Sequence, residues 1–375
     1  MKRIKVEHLL RFIYPLHHAG KTLLALGAIG VAFAATLSGQ TTADASLPPG
    51  GIKLQIVSFG DSLSDVGTYS LFAAKNFNGG LFTTNPSTIW TQQVAAFYGD
   101  ELKPAFLGGF GQPLKPAGGL GFGQGGSRVS LQPGVGQAPA GTPNAAFALA
   151  TAIPVADQVD QFLSMYNNFK PNQLVLINGG PNDLLFNLEK ALANPFQLPS
   201  AIFAIDNSAV DLANIVHKVI KAGAQHVVLL NLADFGMAPE GVSIGQGPLI
   251  TSVIKTFNDT LRATLLFNGD LKKVILIDEF SFLEQTVANF QKEGFTTSNT
   301  GIACNAQAEI AIATNLGLPD PGDFSDSLFC SPQTLTTPDA DQTFIFADDV
   351  HPTTHYSNLF TKFVEQQIAA SGLGK

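Results

Sequence analysis

Three side chains from opposite ends of this chain could together carry out nucleophilic catalysis. Ser62 lies in Phe59-Gly60-Asp61-Ser62-Leu63-Ser64-Asp65, directly after an apolar run from Leu54 to Phe59, while Asp348-Asp349-Val350-His351-Pro352 lies near the far end. A serine hydroxyl at its ordinary pKa is a weak nucleophile. It needs an imidazole to take its proton and a carboxylate to hold that imidazole in one tautomer. Of seven histidines, His8, His17 and His18 fall in a basic leader, His217 falls inside a helical pattern, and His226 precedes a strand pattern at its amino end. That leaves His351 and His355. Asp348, three residues before His351, is the carboxylate that a tight turn would bring to the ring N–H, with Asp349 as the neighbouring alternative. Asp348, His351 and His355 could instead share a cation through the i, i+4 histidine spacing, although no glutamate or further clustered ligand accompanies them. Taken alone, Gly-Asp-Ser-Leu could equally be a helix cap supplied by Ser62 or Asp61.

Acyl transfer also needs donors aimed at the oxyanion of a tetrahedral intermediate. Asn182, in Gly179-Gly180-Pro181-Asn182-Asp183, offers a side-chain amide. Gly126, in Gly121-Phe122-Gly123-Gln124-Gly125-Gly126-Ser127, offers a backbone N–H with no side chain in the way. The same glycines come close to a dinucleotide-binding spacing, but no strand precedes them and no helix follows, so they are a poor nucleotide signal.

The elements that must position these groups are legible as an alternation. Four short runs, Leu54 to Phe59, Leu174 to Asn178, Val227 to Leu232 and Val274 to Asp278, are rich in Val, Ile and Leu without the alternation of a half-exposed strand, as strands buried on both faces are. Amphipathic stretches lie around and between them: Thr88 to Phe97, Val155 to Tyr166, a broad stripe from Ile202 to Ile220 ended by Gly223, Leu249 to Leu266, and Phe280 to Phe290. Strand and helix in turn predict a parallel α/β sheet covered on both faces. Ligands of such sheets bind beyond the carboxyl ends of the strands. Ser62 and Asn182 both follow strands, so both fall on that edge. His351 is expected to open the last helix, with Pro352 in its first turn. The Gly- and Pro-rich stretch from Phe106 to Gly141 reads as long loops.

The joint pattern resembles the GDSL family of lipases and esterases, the SGNH hydrolases. The resemblance is carried by Phe59-Gly60-Asp61-Ser62-Leu63-Ser64-Asp65, Gly125-Gly126-Ser127, Gly179-Gly180-Pro181-Asn182-Asp183 and Asp348-Asp349-Val350-His351-Pro352-Thr353, in the family's order. It implies a flavodoxin-like three-layer α/β/α sandwich with about five parallel strands. It also implies Ser62 as nucleophile, His351 as base, Asp348 as its orienting acid, and an oxyanion hole made by the N–H of Ser62, Gly126 and Asn182. Where the family commonly has Asn and Ala ahead of the paired glycines this chain has Phe122-Gly123-Gln124, which leaves Gly125 and Gly126 both open as donor. The implied reaction is two-step ester hydrolysis through an acyl-serine, with no cofactor. Lipid esters, short-chain esters, acetylated sugars and acyl transfer to another acceptor share these motifs. A non-catalytic binding protein on the same scaffold would be expected to have lost one of the reactive residues.

Composition sets the context. The first 45 residues combine Lys2, Arg3, Lys5, Arg11 and Lys21 with a 13-residue apolar stretch from Leu23 to Ala35 and then Ala43-Asp44-Ala45, the pattern of a secretory signal, with a retained anchor as the alternative. Without them, 16 basic side chains face 27 acidic ones, a formal charge of −11, which disfavours nucleic acid as partner. Residues 46 to 375 show no linker or repeat and read as one domain. Cys304 and Cys330, the only two cysteines, suit a single disulfide in an oxidising compartment. With no barrel following the last helix before Lys375, the expectation is a released or periplasmic protein. Among 29 phenylalanines, Phe72, Phe77, Phe82 and Phe186 follow the catalytic blocks closely and could line an acyl pocket, though rings so placed are more often core. The expected partners are therefore small-molecule or lipid esters, with transient contact to lipid surfaces.

Overall fold

The computed structural model describes residues 47–137 and 149–375. The leader, residues 1–45, lies outside them. In chain order the elements are β1 (Gln55–Phe59), α1 (Ser70–Phe77), α2 (Trp90–Phe97), β2 (Phe106–Gly109), β3 (Gln112–Pro116), α3 (Val155–Tyr166), β4 (Gln173–Ile177), α4 (Pro181–Ala193) and α5 (Leu198–Lys221). They continue with β5 (His226–Leu230), α6 (Pro239–Ser243), α7 (Gly247–Phe267), β6 (Val274–Ile277), α8 (Glu279–Ala288), β7 (Thr297–Ile302), α9 (Ala306–Asn315), α10 (Ala340–Thr343), β8 (Phe344–Phe346) and α11 (Thr354–Ala370).

The four apolar runs form one parallel sheet in the order β1-β4-β5-β6. Every residue of β4 is buried, and only the first residue of β1 and of β5 is partly exposed, which is why these strands lack alternation. On the free side of β1, Ser58 bridges Gly121 in parallel, so the glycine-rich segment occupies a fifth strand position without enough pairing to become a strand. The chain therefore passes to opposite sides of β1, and the switch in strand order that marks a ligand crevice falls beside Ser62. Helix α5 packs against α3, α4 and α7, while α2 packs against α11, and α11 also meets β6. These layers give the three-layer α/β/α architecture.

Local chemistry explains the helix ends. Along α5, Ile205, Ala209, Leu212, Val216 and Val219 are buried at helical spacing, and Gly223 with φ +99° ends it. Ala224 N–H donates to the Val219 carbonyl and Gly223 N–H to that of Ile220, a Schellman closure. The last helix starts later than the sequence suggests. Thr353 is its N-cap, its hydroxyl accepting from Tyr356 N–H, so His351 and Pro352 lie in the preceding loop. A hydroxyl at residue 353 competes for the cap better than the ring of Pro352 defines a first turn. The stretch after Phe106 is also more ordered than its composition implies, since β2 and β3 form an antiparallel hairpin across Phe110-Gly111.

A second core lies beside the main one. Phe72, Phe77, Phe110, Phe324 and Phe329 gather there, with Phe72 stacked on Phe110 at 4.9 Å and Phe77 on Phe324 at 5.8 Å. Phe72 and Phe77 are therefore core residues rather than pocket lining. Cys304 and Cys330 form a disulfide with Cα atoms 5.7 Å apart. Among the described residues no helix is long and apolar enough to cross a membrane.

Candidate active site

The turn after β1 is a single helical turn, Ser62–Ser64, capped by Asp61, whose carboxylate accepts from Leu63 N–H. Asp61 does serve as a cap, and the same turn presents Ser62. Gly60 is required because a Cβ there would fall 1.9 Å from Asn178 Oδ1. Asn178, at the end of β4, donates to Asp61 at 2.7 Å and accepts from Ser64 at 2.6 Å, tying the turn to the neighbouring strand. From α3, the buried Gln158 accepts from Gly60 N–H at 2.9 Å and donates to the Gly60 carbonyl at 2.8 Å. Burial pushes the Asp61 carboxyl up to about 6 against its hydrogen bonds to Leu63 and Asn178.

Ser62 Oγ lies 2.8 Å from His351 Nε2, and His351 Nδ1 lies 2.7 Å from Asp348 Oδ2. An ionised carboxylate only accepts, so the hydrogen sits on Nδ1 and Nε2 is left to accept from the serine hydroxyl. Asp348 shapes its own loop. Its Oδ1 accepts from the N–H groups of Val350 and His351 at 2.9 and 2.7 Å, and Oδ2 accepts from Ser327 N–H at 2.7 Å. Burial works against the charge on Asp348, but the charge of His351, its hydrogen bond and these N–H groups hold the carboxyl well below the usual range. Burial likewise lowers the His351 pKa. The charge and hydrogen bond of Asp348, with Asp326 and Asp61 behind them, outweigh burial and leave it above its ordinary value. Phe82 lies against the imidazole at 5.1 Å between centroids.

Asp349 makes no such contact with the ring; its carbonyl accepts from Glu240 N–H instead. His355 turns its Nε2 to the Glu293 carbonyl at 2.7 Å and does not converge with Asp348 and His351 on a shared point. The metal alternative therefore has no ligand set here.

The N-terminus of α4 meets the glycine-rich loop. Asn182 Nδ2 donates to the Ser127 carbonyl at 2.9 Å, leaving its second amide hydrogen unassigned. Asp183 accepts from Arg128 Nε at 2.9 Å and from Val129 N–H at 2.8 Å, a buried ion pair. These three contacts place residues 126–129 and Asn182 in one wall. Gly126 has φ +80°, and a Cβ there would lie 2.0 Å from the Val135 carbonyl oxygen. Its neighbour Gly125 gives its N–H to Asp65 Oδ2 at 2.9 Å. Among the described residues, the N–H groups of Gly126 and Ser62 have no acceptor.

Several of these residues escaped the sequence reading. Asp65, buried and accepting three N–H groups from Gly67, Thr68 and Gly125, fixes the glycine pair. Gln158, Arg128, Asn178 and Ser327 are likewise second to the chemistry. A glutamine on the apolar face of α3 was the one visible signal. Of the remaining phenylalanines, Phe186 lies beneath the cations of Arg128 and Lys190, and Phe82 lines a cavity with Leu63, Ile89, Trp90 and Glu279. The enclosed part of that cavity, about 20 Å³, is the size of a water molecule.

A doubly wound sheet with a hydroxyl, an imidazole and a carboxylate aligned at its switch point defines a class, that of hydrolases working on acyl groups. The family model described as GDSL-like Lipase/Acylhydrolase matches residues 56–362, and the chain belongs to that family. Membership makes it a hydrolase acting on esters in the general sense. No curated protein matches the chain.

Proposed function

We propose that this protein is a secreted serine esterase or lipase that cleaves carboxylic esters of short to medium acyl or lipid type through an acyl-serine. The observation that carries this reading is the unbroken line Ser62 Oγ, His351 Nε2, His351 Nδ1, Asp348 Oδ2, with contacts of 2.8 and 2.7 Å. Ser62 Oγ attacks the acyl carbon while its proton passes to His351 Nε2, and Asp348 stabilises the imidazolium that results. The carbonyl oxygen of the ester takes the electron pair of the broken C=O π bond and becomes an oxyanion met by the N–H of Ser62, the N–H of Gly126 and the free amide hydrogen of Asn182. Gly126 is favoured over Gly125 because the N–H of Gly125 is already given to Asp65. His351 then returns the proton to the leaving alkoxide. Water, deprotonated by the same imidazole, releases the acid.

A leader on residues 1–45, a single domain over 46–375 and release to the periplasm or beyond belong to this proposal. The disulfide supports an oxidising, extracytoplasmic setting. Acetylated sugars, and acyl transfer to an acceptor other than water, would use the same residues. Turnover of p-nitrophenyl esters of graded length tests the proposal. Ser62→Ala is expected to lose about 10⁴-fold or more of kcat, and a fluorophosphonate probe should label the wild type alone. Equal turnover by both proteins would refute the serine mechanism.

A further inference from the structure

We propose that the Cys304–Cys330 disulfide, together with the backbone N–H of Ser327, positions Asp348 for catalysis, so that Cys304, Cys330 and Ser327 are positioning residues of the active site. The inference rests on the serine-esterase reading above. Asp348 is held from two separate stretches of chain, and the disulfide joins them. On one side, Cys304 N–H donates to the Ala347 carbonyl at 2.8 Å and Ala303 N–H to that of Phe346 at 2.9 Å, so Cys304 is paired with the residue immediately before Asp348. On the other, Ser327 N–H reaches Asp348 Oδ2 at 2.7 Å, and Cys330 N–H donates back to the Ser327 carbonyl at 3.2 Å. The bond therefore closes a ring that runs from Asp348 through Ala347, Cys304, Cys330 and Ser327 back to the same carboxylate.

The partners of the Ser327 loop make the need for this ring plain. Asn85 donates to the Ser327 carbonyl at 3.0 Å, Gly80 N–H donates to that of Leu328 at 2.9 Å, and Phe329 sits in the second aromatic core. These contacts hold the loop to the N-terminal part of the domain. The disulfide holds it to the segment that carries Asp348. Both sulfurs are buried, beside the equally buried Glu309, which burial and the neighbouring charges of Asp326 and Asp348 keep protonated, with a pKa pushed up to about 9. Asp348 Oδ2 is also the oxygen nearest His351 Nδ1, at 2.7 Å against 3.0 Å for Oδ1. A shift of the Ser327 loop thus acts on the very oxygen that orients the base.

The test compares full-length wild type, Cys304→Ser/Cys330→Ser, Asp348→Asn and the combined variant, reading kcat, KM and the far-downfield proton resonance of His351 Nδ1–H. Loss of the bond should lower kcat by about ten- to a hundred-fold, the scale of a misplacement near 1 Å, with KM nearly constant and the downfield resonance broadened or lost. The combined variant should be no slower than Asp348→Asn. An unchanged kcat without the disulfide, or its full loss added on top of Asp348→Asn, would overturn the inference. If the serine double variant does not fold, folded wild type is reduced with a water-soluble phosphine, which opens the S–S bond to two thiols and leaves as its oxide with oxygen from water. The same three readings then apply. Unfolding in both forms also overturns the inference, because the bond would then hold the whole domain rather than Asp348. Ser62→Ala separates the two claims: if it turns over like wild type the esterase reading fails, whereas a required Ser62 with an indifferent disulfide removes the positioning role alone.

Discussion

The two halves of the candidate site are built in different ways. The nucleophile and the donor wall grow directly out of the sheet: Ser62 follows β1, Asn178 follows β4, and Asn182 lies in the first turn of α4. The base and its carboxylate stand on a loop outside the sheet, held by β8, the Ser327 loop and the disulfide. The first half inherits its geometry from the core, where strand residues are fully buried. The second must be assembled from hydrogen bonds between peripheral segments. Precision on the sheet side is therefore a by-product of folding, and on the loop side it depends on a few named contacts.

The nucleophile itself aside, breaking the loop side should give the larger kinetic loss. Asp348→Asn is expected to lower kcat by on the order of 10³ to 10⁴-fold, since the imidazole loses both orientation and countercharge. The same variant sharpens the comparison through pH. His351 must be neutral to act as base, and its pKa stands above the ordinary 6.5, so wild-type activity should fall away on acidification with its midpoint above pH 6.5. In Asp348→Asn that midpoint should move to lower pH, and a pH profile of kcat/KM checks it.

On the sheet side the largest loss should appear as stability. Arg128→Met strands the Asp183 carboxylate in a buried place, at a cost of about 3–5 kcal/mol, readable as a lower midpoint in urea. Asn182→Ala also loses the bond to the Ser127 carbonyl, a cost of about 1–3 kcal/mol, and should lower kcat by about 10²- to 10³-fold with little change in KM, because its second amide hydrogen meets the oxyanion only in the transition state. The smallest effect concerns Glu309. The folded protein keeps its proton up to about pH 9, whereas an unfolded glutamate releases it near 4.5, so stability falls as pH rises through that window. Glu309→Gln has no proton to lose. Its melting temperature at pH 8 should exceed that of wild type by a few degrees, with the difference vanishing near pH 4.

The same division governs what the sequence made legible. The four strands announced themselves through their Val, Ile and Leu content, which burial on both faces explains for β1, β4 and β5 but not for β6, whose first three residues are partly exposed, and the residues directly after β1 and β4 could be placed on the reactive edge by topology alone. Elimination among seven histidines left His351 and His355, and Ser62 and Asn182 were placed by that topology. The supporting contacts were not. Asp65, Arg128, Gln158 and Ser327 act through partners 21 to 98 residues away, and nothing in local spacing records such pairings. The start of α11 was misplaced for a related reason, since a threonine cap and a proline first turn give competing local signals and only the closed structure decides between them.

The ion pair of Arg128 and Asp183 has one more consequence. Both charges are withdrawn from solvent, with side chains 4% and 1% exposed, so dissolved ions cannot gather around them as they do around surface charges. The donor wall they brace should therefore feel the same field in dilute buffer and in brine. Encounter with charged esters, governed by the strongly acidic exterior, will respond to ionic strength, while the chemical step that follows will not.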